Sequence, residues 1–269
     1  MPELPEVETT VKAINKFENK TLLEVVVHNK NLRWKVDNKV ELDTKERLVK
    51  KITRRAKYIL IHLDGLCLMI HLGMSGKLRI QSLKNNYFKK HDHAELIFED
   101  EKIVFNDPRR FGSIHLTKDH NQHKLIKDLG VEPLSNNLSK EYLFNLCKVS
   151  NLDIKKLIMD QKKIVGVGNI YASESLFLAK IKPDRPSKNI SMIECENLLA
   201  SIKKILKYAI KKGGTTLKDF FSADGSEGYF NIELNVYGKE NDNCKICHHK
   251  IIRTVIAQRA TYSCNKCQI

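Results

Sequence analysis

The spacing of apolar residues changes along this chain, and the change separates regions of different predicted structure. Between residues 5 and 17 apolar side chains recur every three or four positions, from Val7 to Phe17, which predicts an amphipathic helix. From Leu22–Val27 onward apolar and polar positions alternate, as in half-buried strands. The first part of the chain is therefore predicted to be one helix followed by β-structure.

Two pairs of strand-like segments in this β-rich region are joined by short turns. Tyr58–Leu63 and Leu66–Leu72 flank Asp64-Gly65, a dipeptide typical of tight hairpins. Ala94–Glu99 and Lys102–Asn106 form a second predicted hairpin. These segments predict antiparallel sheets.

Beyond residue 131 the apolar spacing is mostly helical. A long helix is predicted to open at the capping box Ser191-x-x-Glu194 and to stop at Gly213-Gly214. The other predicted helices are Lys140–Cys147 after an N-cap at Ser139, Leu152–Asp160, and Asn169–Leu178 after Gly166-Val167-Gly168. A Gly- and Asp-rich loop is predicted around Ala223–Gly228, and Ile251–Thr261 has the character of a β-hairpin. The predicted domains are 2–131, 132–230 and 231–269.

Four cysteines near the end of the chain have the spacing of a zinc site. Cys244-x2-Cys247 and Cys264-x2-Cys267 are two knuckles, each able to place two thiolates on one tetrahedral ion. Because four thiolates leave no open coordination position, we expect one structural Zn²⁺. Two independent redox pairs are the alternative. The remaining cysteines lie in apolar patterns and are predicted to be buried: Cys67, Cys147 and Cys195.

The charge balance points to a polyanionic partner. Lys and Arg outnumber Asp and Glu by 47 to 32 over 269 residues, a formal net charge of +15. Nucleic acid, an anionic membrane surface or an acidic protein would each fit such a charge. The 29% charged content and the lack of an 18-residue apolar run exclude a membrane-spanning bundle. Basic clusters recur in every predicted domain, which favours a long anionic ligand: residues 45–57, 155–163 and 203–218, with Arg253 and Arg259.

The N-terminus combines prolines and carboxylates in a way that allows covalent chemistry. Met1 precedes a small residue, so we expect its removal, which would expose Pro2 as a secondary amine. Such an amine could attack a sugar carbon, and Glu3 could donate the proton that the reaction needs. Glu6, one helical turn later, could position the amine or Glu3. An ordinary helix start, in which acidic residues favour the helix dipole, is the competing interpretation.

Six separate motifs make the chain resemble bacterial formamidopyrimidine-DNA glycosylases. They are Pro2–Thr9, Arg54–Tyr58, His71–Gly76, Asp107–Gly112, Val165–Ala172 and the four-cysteine finger, in family order and over the whole chain. The resemblance implies an α+β multidomain fold. Its expected parts are a β-sandwich with an N-terminal helix, a helix–two-turn–helix domain and a C-terminal β-hairpin zinc finger.

The resemblance also implies an activity and residue roles. The expected reaction removes oxidised purines from damaged double-stranded DNA through a Schiff base, then cleaves the strand by β,δ-elimination. The implied catalytic residues are Pro2 as nucleophile, Glu3 as proton donor, Glu6, Lys57 for β-elimination and Arg259 for δ-elimination. Met74, Arg109 and Phe111 correspond to residues that fill the gap left by the extruded nucleotide. The implied phosphate contacts are His71, His91, Arg110, Lys155 and Asn169, and Lys218 opens the segment, up to Tyr229, that covers the flipped base.

Two other functions fit parts of the sequence. An endonuclease VIII-type glycosylase would prefer oxidised pyrimidines, and a non-catalytic zinc-finger protein would bind DNA without using the N-terminal carboxylates. Leu4 and the Met74 and Arg109–Phe111 motifs favour the purine enzyme. The N-terminus lacks the basic-then-apolar order of a secretory signal, so we expect a cytoplasmic protein. Together with the family resemblance, this leads us to expect a monomer in the bacterial cytoplasm, at the nucleoid, with no membrane partner.

Overall fold

The structure is a computed structural model that describes residues 2–85, 87–213 and 233–269. Two compact units emerge from it. Residues up to Lys127 belong to the first unit, and Asp128–Lys211 belong to the second together with the C-terminal cysteine-containing segment. Lys218, the base-covering segment that it opens and the predicted loop at Ala223–Gly228 lie outside the described residues.

The first unit opens with the predicted helix. Helix α1 spans Leu4–Ile14, and the next three residues tighten into a 3₁₀ turn that ends at Phe17. Pro5 lies in the first turn, where a missing N–H costs nothing. The apolar face, from Leu4 to Phe17, is buried, as the spacing predicts.

Two four-stranded antiparallel sheets form a β-sandwich beside α1. Strand order is β10-β6-β5-β4 in one sheet and β2-β8-β9-β7 in the other, and β1 pairs with β3 separately. A single apolar core contains side chains from both sheets and from α1. The strands are β1 (Thr21–Leu22), β2 (Glu24–Val27), β3 (Arg47–Leu48), β4 (Lys51–Arg55), β5 (Tyr58–His62), β6 (Cys67–His71), β7 (Lys77–Ser82), β8 (Asp92–Ile97), β9 (Glu101–Asn106) and β10 (Ser113–Thr117), and a short helix α2 (Lys39–Leu42) precedes β3.

Both predicted hairpins of the first unit are present. Strands β5 and β6 pair antiparallel, and Gly65 takes a positive φ of 68° in the turn between them. Strands β8 and β9 pair antiparallel as well, with a bulge between Asp92 and Ala94. The sandwich predicted by the family resemblance is therefore confirmed.

In the part of the second unit that the structure describes, four helices pack around an apolar core of their own. They are α3 (Lys140–Lys148), α4 (Ile154–Ile158), α5 (Asn169–Leu178) and α6 (Met192–Lys211). Ser139 caps α3 by accepting the Tyr142 N–H, and the capping box of Ser191 and Glu194 opens α6, as predicted. Helix α4 is shorter than the predicted Leu152–Asp160 segment.

A tight double turn joins α4 to α5, and the Gln161 side chain organises it. The Gln161 amide donates to the Met159 and Val167 carbonyls, at 3.0 and 3.2 Å, and its oxygen accepts the Gly166 N–H at 2.8 Å. Gly166 has a positive φ of 79°, which only glycine adopts without strain. The turn delivers Asn169 to the first position of α5.

The C-terminal hairpin consists of β11 (Ile252–Ile256) and β12 (Arg259–Ser263). Its small apolar core includes Phe177 of α5, so the hairpin packs directly on the helical part of the second unit. Gln268 strengthens this contact by donating to the Ile181 carbonyl at 2.8 Å. Among the described residues, none of the helices is both long and apolar enough to cross a bilayer.

Candidate active site

The N-terminal turn holds Pro2, Glu3 and Glu6 in one buried place. Glu3 is the N-cap of α1, and its backbone N–H donates to the Glu6 carboxylate at 2.8 Å. The reciprocal bond, from the Glu6 N–H to the Glu3 side chain, completes a capping box. Glu3 and Glu6 are only 2% and 3% exposed, and Pro2 is buried. Glu6 therefore fixes the backbone that carries both Pro2 and Glu3.

An arginine connects this helix to the turn that carries Lys57. Arg54 Nε donates to the Glu8 carboxylate of α1, and another Arg54 nitrogen donates to the Ala56 carbonyl, both at 2.8 Å. Ala56 and Lys57 form the two-residue turn between β4 and β5, where Ala56 takes a φ of 52°. A left-handed alanine is strained, so this position of Lys57 depends on its surroundings.

Lys57 lies in an electrostatic cluster with His71, Tyr58 and Arg33. The pKa of His71 is lowered to about 4, mainly by burial and then by the charges of Lys57 and Arg33. The Gly73 N–H donates to His71 Nδ1 at 3.0 Å, so the remaining nitrogen, Nε2, carries the proton of the neutral ring. His71 can thus offer a phosphate one neutral N–H donor. Arg33 is a further cation of this cluster. It was not predicted from the sequence, because nothing in its local pattern separates it from the neighbouring lysines.

Two loops of the first unit meet through the buried side chain of Asp107. Its Oδ1 accepts from the Ser75 hydroxyl at 2.6 Å and from the Arg109 N–H at 3.3 Å. Its Oδ2 accepts the Gly112 N–H at 2.7 Å. The Asp107 carboxylate therefore holds residues 107–112 against the loop after β6. This role of Asp107 was not predicted, although the residue begins the family motif Asp107–Gly112.

The same two loops expose the predicted gap-filling residues. A Cβ on Gly73 would come within 2.3–2.5 Å of the Phe111 backbone, so only glycine permits this close approach. Met74 and Phe111 are 40% and 42% exposed, which excludes core roles for them. The Arg109 guanidinium lies over the Phe111 ring at 4.9 Å from its centroid.

The two other predicted DNA contacts of the first unit are accessible. Arg110 is exposed in the 107–112 loop and has a φ of 55°. His91 is partly exposed, has a φ of 74° and directly precedes β8. Its carbonyl accepts the Asp107 N–H at 3.1 Å, which ties His91 to the loop that carries Arg110.

In the second unit Arg259 lies at the end of the finger hairpin. The two-residue turn before it has positive φ at both positions, 48° at Ala257 and 60° at Gln258. Such a turn ordinarily takes Asn-Gly or a similar pair, so the tip of the hairpin is strained. The Arg259 side chain is exposed at the first residue of β12.

Lys155 and Asn169 both contact the hairpin next to Arg259. The Asn169 amide donates to the Ala260 carbonyl at 2.9 Å. Lys155 Nζ donates to the Thr261 hydroxyl at 2.6 Å and lies 3.3 Å from the Ala260 carbonyl. Lys155 is only 1% exposed. These two residues, predicted as phosphate contacts, are placed here to hold the strand that begins with Arg259.

The four finger cysteines come together as one cluster. Their sulfur atoms all lie within 4.8 Å of one another, and the two knuckles face each other. Cys244 and Cys267 sulfurs are 3.8 Å apart, and Cys247 and Cys264 sulfurs are 3.3 Å apart. A tetrahedral ion with metal–sulfur bonds of about 2.3 Å requires sulfur atoms about 3.8 Å apart, so the cluster fits a metal of this kind. Two independent redox pairs do not explain contacts between the knuckles.

A fully buried carboxylate, Glu174 of α5, anchors the chain that leads into the finger. One oxygen accepts the Val236 and Tyr237 N–H groups, and the other accepts the backbone and side-chain N–H groups of Asn235, all at 2.8–2.9 Å. No local pattern indicates this role of Glu174, because its position in an apolar helix gives no sign of four donors more than 60 residues away.

Comparison with known proteins agrees with this geometry. A family model described as the formamidopyrimidine-DNA glycosylase N-terminal domain matches residues 1–114, and one for the H2TH domain of the same enzymes matches residues 129–221. The chain belongs to the formamidopyrimidine-DNA glycosylase family. The family resemblance stated from the sequence motifs is thereby confirmed.

Relatives of formamidopyrimidine-DNA glycosylase type match over the full chain. The enzymes of Enterobacter sp. (strain 638) and Escherichia coli (strain 55989 / EAEC) are each 46% identical, with 100% of both chains covered. The crystal structure of the protein from Thermus thermophilus matches with a TM-score of 0.89 at 35% identity, covering 99% of this chain and 98% of that one. The Lactococcus lactis protein in complex with DNA containing an abasic site matches with a TM-score of 0.91 at 31% identity, covering 99% of each chain.

Proposed function

We propose that this chain is a bifunctional DNA base-excision repair enzyme. It removes oxidised purines, chiefly 8-oxoguanine and formamidopyrimidines, from damaged double-stranded DNA and then cleaves the abasic strand. The observation that carries this proposal is the buried turn of Pro2, Glu3 and Glu6 at the start of a chain of this family. A protein that only gripped phosphates would gain nothing from two buried carboxylates there.

The first chemical step uses the amine of Pro2 after removal of Met1. An N-terminal amine has a reference pKa near 8, against about 10.4 for lysine, so far more of it is neutral at physiological pH. Its nitrogen attacks the sugar C1′, and the bonds from C1′ to the base and to the ring oxygen break. Two protons, one from the amine and one from Glu3, pass to the departing base and the ring oxygen. The product is an iminium ion joining Pro2 to the sugar.

The iminium ion then drives strand cleavage. Its positive charge acidifies the C2′ proton, whose loss breaks the C3′–oxygen bond in β-elimination. A second, δ-elimination breaks the C5′–oxygen bond. We assign Lys57 to the first elimination and Arg259 to the second, where a guanidinium can stabilise the leaving phosphate.

Phosphate contacts and gap-filling residues hold the duplex in this scheme. Met74, Phe111 and Arg109 replace the stacking and pairing lost when the damaged nucleotide is extruded. The proposed phosphate contacts are His71, His91, Arg110 and Asn169, with Lys218 near the flipped base. Lys155, which is buried against Thr261, would support them by holding the strand that begins with Arg259. If six phosphates are neutralised, affinity falls by roughly 10³ between 50 and 200 mM salt.

The finger cysteines would hold one structural Zn²⁺. Four thiolates complete a tetrahedral shell, so the ion would supply folding energy to the hairpin and no catalytic position. In this way the metal would maintain the strand that begins with Arg259. We further propose that the protein acts as a monomer in the bacterial cytoplasm, at the nucleoid. The three domains of this proposal are 2–131, 132–230 and 231–269.

Borohydride trapping tests the nucleophile. The full chain is incubated with a duplex containing 8-oxoguanine, reduced with borohydride, and mapped by peptide mass spectrometry, with an undamaged duplex as control. We expect a covalent adduct at Pro2 only with the damaged duplex. No adduct, or an adduct only at Lys57, would refute the mechanism.

Lesion choice requires a separate comparison. Release of 8-oxoguanine and thymine glycol is measured on duplexes of otherwise identical sequence. We expect faster cleavage at 8-oxoguanine. Faster cleavage at thymine glycol would assign the chain to endonuclease VIII-type specificity.

A further inference from the structure

A second group of metal-ligating side chains lies in the first unit, apart from the four finger cysteines. One potential ligand atom from each of His62, Cys67 and His120 lies within 4.8 Å of the other two. Cys67 is 2% exposed, whereas both histidines are partly exposed. The His62 and His120 rings meet edge to face with centroids 5.1 Å apart. The reaction proposed above uses none of these residues.

The sheet register explains why these side chains meet. His62 of β5 is the direct antiparallel partner of Cys67 of β6, and directly opposed residues place their side chains on the same face. Leu68 and Ile70 belong to the sandwich core, so Cys67, which alternates with them, points to the opposite face of the sheet.

The third ligand comes from the turn that follows the neighbouring strand, β10. Thr117, the last residue of β10, pairs with Cys67, and His120 follows three residues later. A bond from the Thr117 hydroxyl to the Asp119 carbonyl, 3.1 Å, and one from the Asn121 N–H to the Asp119 carboxylate, 2.8 Å, shape the turn that carries His120. Three adjacent strands thus bring the three donors to one place.

We propose that His62, Cys67 and His120 form a second metal site that binds Zn²⁺. Imidazole nitrogen and thiolate sulfur are both ligands that Zn²⁺ binds in proteins, whereas Mg²⁺ and Ca²⁺ prefer oxygen ligands. Three protein ligands leave a fourth position for water, which the partly exposed histidines can admit. The site lies at the Asp64-Gly65 end of β5, four residues along the strand from Tyr58 and the Lys57 turn.

A neighbouring hydrogen bond supports the ligand role of His62. Its Nε2 lies 2.7 Å from the Thr53 hydroxyl, which leaves Nδ1 as the proposed ligand atom. Zinc-binding histidines ordinarily use their second ring nitrogen in such a bond, because it fixes the orientation of the ring. Lys51, the cross-strand partner of His62 on β4, opposes cation binding by its charge. Lys51→Gln should therefore tighten zinc binding severalfold.

Zinc stoichiometry tests the proposal on the full chain. The protein is loaded with excess Zn²⁺, dialysed and analysed by inductively coupled plasma mass spectrometry. We expect two zinc ions per chain in the wild type, and one in His120→Gln and in Cys67→Ala. His28→Gln, which alters an exposed histidine of the same unit outside the cluster, should retain two.

Calorimetric titration with Zn²⁺ gives an independent measure. The second equivalent should bind at least tenfold more weakly in His120→Gln, while the first equivalent is unchanged because the finger is intact. His120 lies in a partly exposed turn, so this variant is expected to fold even if Cys67→Ala does not. One zinc ion in the wild type, or a second ion retained by His120→Gln, would overturn the proposal.

Discussion

The buried Glu174 carboxylate offers a sharp test of how the finger is attached. Glu174→Gln preserves the size of the side chain but turns one acceptor oxygen into an NH2 group. Each oxygen accepts two N–H groups, so whichever oxygen is replaced, two buried or partly buried donors would face another donor. An unsatisfied donor costs about 1–3 kcal/mol when fully buried and less when partly exposed, so we expect the free energy of unfolding to fall by up to about 6 kcal/mol.

Differential scanning calorimetry of the wild type and variant measures this loss. A matched control is Glu196→Gln, because Glu196 makes only a largely exposed pair with Lys140, 3.4 Å from oxygen to nitrogen. Such a surface change should alter the unfolding free energy by no more than about 0.5 kcal/mol. If both variants unfold at the same temperature, the four bonds to Glu174 do not stabilise this region and the reasoning is wrong.

Three further perturbations test other parts of the protein. Arg54→Lys keeps the positive charge but loses the guanidinium fork that joins Glu8 to Ala56. We expect kcat on 8-oxoguanine DNA to fall about tenfold or more, which corresponds to a barrier higher by about 1.4 kcal/mol. DNA affinity should stay within twofold of the wild type. Cys247→Ser should abolish zinc binding at the finger, unfold its hairpin and weaken DNA binding, as measured by metal analysis and DNA titration. Burial, and then the charges of neighbouring His123 and Lys124, lower the pKa of His115 to about 4 in the folded protein. As the pH falls, the unfolded chain therefore protonates this histidine before the folded protein does. The free energy of unfolding should therefore decrease as the pH drops from about 6.5 to 4, by at most about 3 kcal/mol for this group. Urea titrations at several pH values should show a smaller decrease for His115→Phe than for the wild type.

Each of these three predictions has a matched control or a result that would contradict it. Arg47→Lys is the matched control for Arg54, since Arg47 also donates two hydrogen bonds, in its case to the backbone carbonyls of Asp43 and Asp64. Equal kcat losses in the two variants would contradict a positioning role. Unchanged zinc content and DNA affinity in Cys247→Ser would contradict the four-ligand finger. An unchanged pH profile in His115→Phe would show that other groups control acid sensitivity.

Local sequence patterns were sufficient for the elements whose determinants are close together in the chain. Asp64-Gly65 predicts its hairpin because the turn geometry depends on two residues, and Ser139 predicts the start of α3 because its hydroxyl meets a donor three residues later. The two Cys-x-x-Cys knuckles predict a shared ion because the two cysteines of each knuckle are only three residues apart. Likewise, Pro2, Glu3 and Glu6 are so close in the chain that the sequence suggests their joint chemistry, although only the structure shows the capping box that joins Glu3 to Glu6.

Contacts between distant segments were decided only by the tertiary structure. Glu174 accepts hydrogen bonds from residues more than 60 positions away in the chain, and Asp107 accepts one from Ser75, more than 30 positions away. Lys155 reads as an ordinary surface cation, yet it is buried against Thr261. His62 and Cys67 meet His120 because β5, β6 and β10 pair in register and the turn after β10 carries His120. The sequence alone thus determined the secondary-structure elements, the two cysteine knuckles and the family motifs. Long-range packing and strand register decided which polar side chains are buried together, because no local pattern encodes a partner so far along the chain.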